Sequence, residues 1–145
     1  MDLSAIEDDL IAKLVADITT DTPEIRSFPD NPADYQLLHP KGAILVRYNG
    51  SNSETPVPNP QLKAVQLRTS NWTFFVVQKS LKKKKGHQGV YGLLEEIRAS
   101  LVGYTITGLA DASIIWHTGD QFHSEVAGTW RYTVNFSFTF PESEA

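Results

Sequence analysis

The sequence predicts an α+β fold, with two helices packed on one face of a mainly antiparallel sheet in the order helix, strands, helix, strands. Three observations predict it. Two segments, residues 5 to 18 and Val90 to Leu101, repeat apolar side chains at helical spacing. Several strand-like runs lie between and after them, the last of which, TWRYTVNFSFTF, alternates apolar and polar residues from Thr129 to Phe140. The length, 145 residues, suits one core burying roughly 70% of the unfolded surface, so residues 1–145 form a single domain.

In the first segment Ser4-Ala-Ile-Glu7 fits a capping box. Leu3, Ile6, Leu10, Leu14 and Ile18, with Ile11 and Val15 beside them, form its apolar stripe. TPEIRSFPDNPADY follows, where Pro23, Pro29 and Pro32 forbid a long helix and leave a short extended piece near Ile25 to Phe28. AILVRY, Ala43 to Tyr48, reads as a buried strand. The three prolines of NGSNSETPVPNPQ then predict a projecting loop at 49–61.

From Leu62 to Lys79 the chain is extended again. Val65 and Leu67 mark an odd-numbered apolar face and Trp72, Phe74 and Val76 an even one, which predicts a bulge or break near Thr69 to Asn71. A basic loop, 80–89, leads to the second helix, whose stripe is Val90, Leu93, Leu94, Ile97 and Leu101, with Gly103 at its C′ position. YTITGLADASIIWHT is a further extended stretch broken at Gly108. The final strand has one face on a core and the other in water. At about 3.3 Å per residue it is roughly 40 Å long, so its ends lie on the rim or reach another subunit.

With 41% hydrophobic and 21% charged residues, the chain has too much apolar content for a disordered protein. It lacks cysteine, which excludes disulfides and thiolate metal sites. The start, MDLSAIEDDL, is acidic where a secretory leader would be basic, and no apolar run approaches the roughly 20 residues that span a bilayer. The net charge of −4 conceals a division: residues 1 to 34 carry nine acidic and two basic side chains, residues 41 to 98 ten basic and three acidic. Such polarity suits head-to-tail contact between copies, and equally charges scattered over solvated faces.

Little in the sequence points to catalysis. His117, Asp120, His123 and Glu125 match no standard ligand spacing and read as solvated residues of a hairpin loop rather than a zinc site. His39 and His87 are isolated loop hydrogen-bonders. Gly86, Gly89 and Gly92 lack the Gly-Lys-Ser/Thr of a phosphate loop, and no nucleophile elbow is present. The sequence therefore predicts no catalytic, cofactor or metal residues. Trp72, Trp116 and Trp130 read as core or interface residues.

The four consecutive lysines, Lys82 to Lys85, leave three uses open: a solvated loop tip, contact with an acidic protein surface, or contact with DNA. Four phosphate contacts give a salt slope of about −3.6, a weak and sequence-blind grip. Mutual repulsion of the ammonium groups argues for a mobile, exposed tip.

SFPDNPADYQLLHPKGAILVRYNGS, GHQGVYGLLEEIRASLVGY and GTWRYTVNFSFTF, in this order behind an amphipathic first helix, resemble the Mu-like bacteriophage tail terminator family of contractile-tailed phages and related tail-derived particles. The resemblance runs over nearly the whole chain. It implies a non-enzymatic virion protein at the neck-proximal end of the tail, assembled in the host cytoplasm. There a ring of six subunits caps the tail tube, stops its polymerisation and joins tube and sheath to the head-completion proteins. The implied partners are self, tube protein, sheath protein and head–tail connector proteins, with non-specific DNA contact in the channel and no membrane. The lysine run departs from the family's shorter, less charged link. Lys82, Lys83, Lys84, Lys85 and His87 are candidate interface or channel residues, and Glu7, Asp8, Asp9 and Asp17 a candidate complementary acidic surface. A sequence-blind DNA-binding module using the Lys82–Lys85 loop is the alternative function.

Overall fold

The protein is described here from a computed structural model that covers residues 2–30, 37, 39–54, 65–109 and 111–143. Its elements are α1 (Leu3–Asp17), β1 (Glu24–Ser27), β2 (Ala43–Ser53), β3 (Val65–Gln78), α2 (Gly89–Leu101), β4 (Trp116–Val126) and β5 (Thr129–Ser143). The strands form one five-stranded sheet in the order β1-β2-β3-β5-β4. β1 and β2 are parallel and the other pairs antiparallel, so the sheet is mixed.

Both helices lie on the face that bears the even-numbered residues of β3 and β5. From α1, Ile6, Leu10 and Leu14, and from α2, Val90, Leu93, Ile97 and Leu101, are buried in one cluster with Ile44, Val46, Trp72, Phe74, Val76, Val134, Phe136, Phe138 and Phe140. Each such side chain contributes about 1.5–3 kcal/mol by leaving water. Phe74 meets Phe136 edge to face at 5.5 Å, locking the two central strands together. The even residues of the final strand thus build the core, as their alternation predicts.

The helix starts differ from the sequence reading. Asp2, not Ser4, caps α1, accepting from the Ala5 N–H at 3.2 Å, and Ser4 falls inside the first turn. Glu7, expected to close the capping box, instead accepts from Ser27 Oγ of β1 (3.0 Å). α2 ends as expected, with Gly103 at φ +89 just past the Val102 cap. The described residues of 104–115, expected to be extended, form no strand. They pack Ile106 and Ile115 into the core and turn at Thr107 and Gly108.

The expected break in β3 is absent. β3 pairs with β5 without interruption from Val65 to Gln78, and Leu67 lies on the face away from the helices, 45% exposed. Apolar residues occupy both faces of β3 because Phe75 and Val77 form a second, smaller cluster with Ala43 and Leu45, against which Phe28 and Leu37 pack. The register shift sits opposite, in β2, where Asn49 is the extra residue between Tyr48 and Gly50. Asn49–Ser53 belong to β2, so the strand enters the region expected to be a projecting loop, of which residues 55–61 lie outside the described residues.

At the far end of the sheet Arg68 ties three strands. It donates to Ser51 Oγ (2.9 Å) and Tyr48 Oη (3.4 Å) of β2, pairs with Glu142 of β5 (3.1 Å), and lies 6.0 Å from the Phe140 ring centre. The Tyr48 hydrogen bond, with Glu142 behind it, raises the guanidinium pKa further above its ordinary value. Among the described residues no helix is long and apolar enough to cross a membrane.

Candidate functional site

The candidate residues fall in three separate regions, and the structure adds a fourth. The lysine loop is a closed turn. Lys84 and His87 exchange two backbone hydrogen bonds of 3.2 Å across Lys85 and Gly86, and Gly86 at φ +90 supplies the left-handed position the turn requires. The loop then folds over the start of α2. The N–H groups of Val90 and Tyr91 donate to the carbonyls of Ser80 (2.9 Å) and Leu81 (3.0 Å). Gly89 permits this approach, since a Cβ there would stand 2.5 Å from the Lys82 carbonyl oxygen. The four lysine side chains are all exposed. With two N–H groups of the helix start engaged internally, the loop presents cations on stems rather than a backbone anion nest.

The four acidic residues of α1 differ in their partners. Glu7 holds β1 through Ser27. Asp9 accepts from Tyr104 Oη (2.9 Å) and from the Thr107 N–H (2.9 Å), tying α1 to the loop after α2. Asp17 accepts from Ser100 Oγ of α2 (2.7 Å) and pairs with Lys13 (2.7 Å). The hydrogen bond from Lys13, and then that from Ser100, hold the Asp17 carboxyl below the usual carboxylate range. Asp8 alone of the four points outward with no partner among the described residues.

His117, Asp120, His123 and Glu125 are not in a loop but in the edge strand β4. Bulges at Thr118 and His123 interrupt its ladder with β5. His117 stacks near Phe136 on the helix side (5.5 Å between centroids), whereas His123 meets Phe75 on the other side (5.7 Å). The sheet separates the two imidazoles, which prevents joint ligation. His117 Nε2 lies 3.6 Å from Asp120 Oδ2, and no group of three metal-ligating side chains occurs among the described residues.

The fourth region went unrecognised in the sequence. The sheet face away from the helices carries a cleft of about 260 Å³ with an apolar floor of Leu45, Phe75 and Val77, walled by Phe28 and rimmed by Arg47, His123 and Arg131. The Arg47 guanidinium stands 5.4 Å from the Phe28 ring centre and 5.1 Å from that of Phe75. A polar strip continues from the cleft along the face. Thr73 Oγ1 donates to Asn135 Oδ1 (2.7 Å), Ser137 Oγ donates to Asn71 Oδ1 (2.6 Å), and the buried Thr133 hydroxyl has no partner among the described residues. Among the described residues, those lining cleft and strip include no acid. This face was hidden in the sequence because Arg47 and Arg131 lie on different strands, and only the register brings them to one cleft. Their odd-numbered positions were the available signal.

The molecule is thus a two-layer α+β domain whose open sheet face carries an arginine-rimmed cleft. The chain is a member of the Gp37 protein family, which matches residues 11–143. No curated protein matches it. Among solved structures, a chain from the virion of a native gene transfer agent particle is similar to it, with a TM-score of 0.54 and 13% sequence identity over 96% of each chain. That likeness is one of fold.

Proposed function

We propose that the protein is a structural component of a phage-type virion and, more finely, a tail terminator. In this reading a ring of subunits, six by the family resemblance, sits on the last ring of the tail tube, stops its growth and joins tube and sheath to the head-completion proteins. One observation carries the reading: a fold shared end to end, 96% of both chains, with a subunit of a gene transfer agent virion. Such a subunit works by contact, so its functional residues are surface groups. The Lys82–Lys85 turn, held at a fixed place by α2, is a contact element for a neighbouring protein. The DNA-binding alternative gains nothing from the geometry, because the lysine turn has no base-reading element beside it and no backbone nest for phosphate.

Negative-stain imaging of tube protein assembled with and without this chain tests the reading. Tubes of limited length with a ring at one end are expected. Tubes of unchanged length with no bound ring refute it. A variant with alanine at Lys82 to Lys85 that folds normally and no longer caps assigns the turn to protein contact.

A further inference from the structure

From the faces of the two layers we infer that copies of this chain associate face to back, the outward side of α1 of one copy seating on the arginine-rimmed cleft of the next. The inference rests on the ring reading above and assigns its interface.

The first ground is α1. Its inward stripe is in the core, yet Ala5, Asp8, Ala12 and Val15, at spacings of three and four, share the outward side with Ala16, and all are exposed. Val15 is 52% exposed. Asp8 is the one charge on that side. A helix apolar on both sides is normally covered on both. The outward side of α2, by contrast, carries Glu95 and Arg98 and suits water.

The second ground is the cleft, which is complementary in shape and charge. It offers an apolar hollow with Arg47, Arg131 and His123 at the rim. Arg131 has no ion-pair or hydrogen-bond partner among the described residues. Smooth apolar side chains with one carboxylate on one surface match an apolar hollow with unneutralised guanidinium groups on the other. The two surfaces lie on opposite sides of the sheet, so a chain cannot satisfy itself. Contact must be heterologous, the kind that closes into a ring when its rotation closes.

The absence of cysteine from the chain makes crosslinking clean. Val15→Cys combined with Gln121→Cys, the latter an exposed position on the cleft-side strip, is treated with a short bifunctional thiol reagent, in the free protein and again with tube protein. A ladder of dimers, trimers and larger species is expected from the double variant, and only a heterodimer from a mixture of the two single variants. Arg47→Glu with Arg131→Glu is expected to reduce the ladder at least about tenfold, and adding Asp8→Arg to restore part of it; circular dichroism verifies that each variant is folded. No ladder under either condition overturns the inference, as do dimers from Val15→Cys alone, which indicate symmetric helix pairing. Capped tubes without a ladder leave the terminator reading standing and the interface wrong, whereas a ladder without capped tubes does the reverse. Loss of capping on charge reversal of the cleft, with no crosslink between copies, assigns the cleft to a foreign acidic segment and likewise overturns the inference.

Discussion

Replacing Gly89 with alanine tests how the lysine turn is fastened to α2. Gly89 has φ +73, and a Cβ there would lie 2.5 Å from the Lys82 carbonyl oxygen and 2.6 Å from its carbon. The left-handed backbone alone costs an alanine about 1–2 kcal/mol. Because the obstacle is backbone, relief requires the turn to lift from the helix, which breaks the bonds of Val90 and Tyr91 to Ser80 and Leu81. At about 1 kcal/mol each, the total is roughly 3–4 kcal/mol, a large part of the ~5–15 kcal/mol stability of a domain. Gly86→Ala is the control, since that glycine has φ +90 but nothing within 4 Å of its Cβ position, and it should cost only the first ~1–2 kcal/mol. Urea unfolding at constant m-value measures both. If Gly89→Ala is no more destabilising than Gly86→Ala, within about 0.5 kcal/mol, the close approach has no energetic weight and the account of the turn fails.

Other perturbations have equally definite outcomes. Phe136→Ala should lower stability by about 3–5 kcal/mol, because it empties the centre of the helix-side core; a loss below ~1 kcal/mol in the same urea assay contradicts its place there. Asp17, whose pKa is lowered in the fold, contributes stability above the ordinary carboxylate range and loses it as pH falls through the depressed pKa. Asp17→Asn should therefore flatten the acid side of the stability profile, and an unchanged profile argues against the α1–α2 tie. Tyr132 has its pKa raised by burial first and by Tyr91 second. Its contribution is complete below the ordinary tyrosine pKa and is lost as pH rises through the raised one, so ultraviolet titration should show a late tyrosine that disappears in Tyr132→Phe. Arg68→Ala should cost about 1–2 kcal/mol, and Arg68→Lys should recover only part, since an ammonium cannot address Ser51, Tyr48 and Glu142 together.

What could be read from the sequence was whatever depends on a single period. Val90, Leu93, Ile97 and Leu101 are buried as their spacing requires, Gly103 ends their helix, and the even residues of the last strand form the core. Readings that needed a partner strand failed. Leu67 and Trp72 suggested a break in β3, but a strand buried on both faces, by helices on one side and by Phe28 and Leu37 on the other, carries apolar residues at both parities. The His117 to Glu125 segment looked like a loop because its polar, glycine-containing composition is that of a turn; at the sheet edge, such a segment still forms strand hydrogen bonds. Asp2 displaced Ser4 as cap because an aspartate serves equally well there, and the helix starts two residues earlier. The cleft was invisible because four strands and the connector each contribute part of it. The small apolar side chains on the outward side of α1, by contrast, stand in the sequence at helical spacing, as Ala5, Ala12, Val15 and Ala16.

The two edges of the sheet bear on the fate of a subunit before it is incorporated. In the proposed role free subunits accumulate before assembly, and an open strand edge then invites fibrous aggregation. β4 exposes Trp116, Phe122 and Val126, which heightens that hazard, but it bulges at Thr118 and His123, leaving only Gly119 to Phe122 as unbroken ladder between them. β1 stops after four residues. Neither edge offers the flat run of about six residues that stacking needs, so the features that interrupt the sheet's pairing also deny a second copy a template for fibre growth.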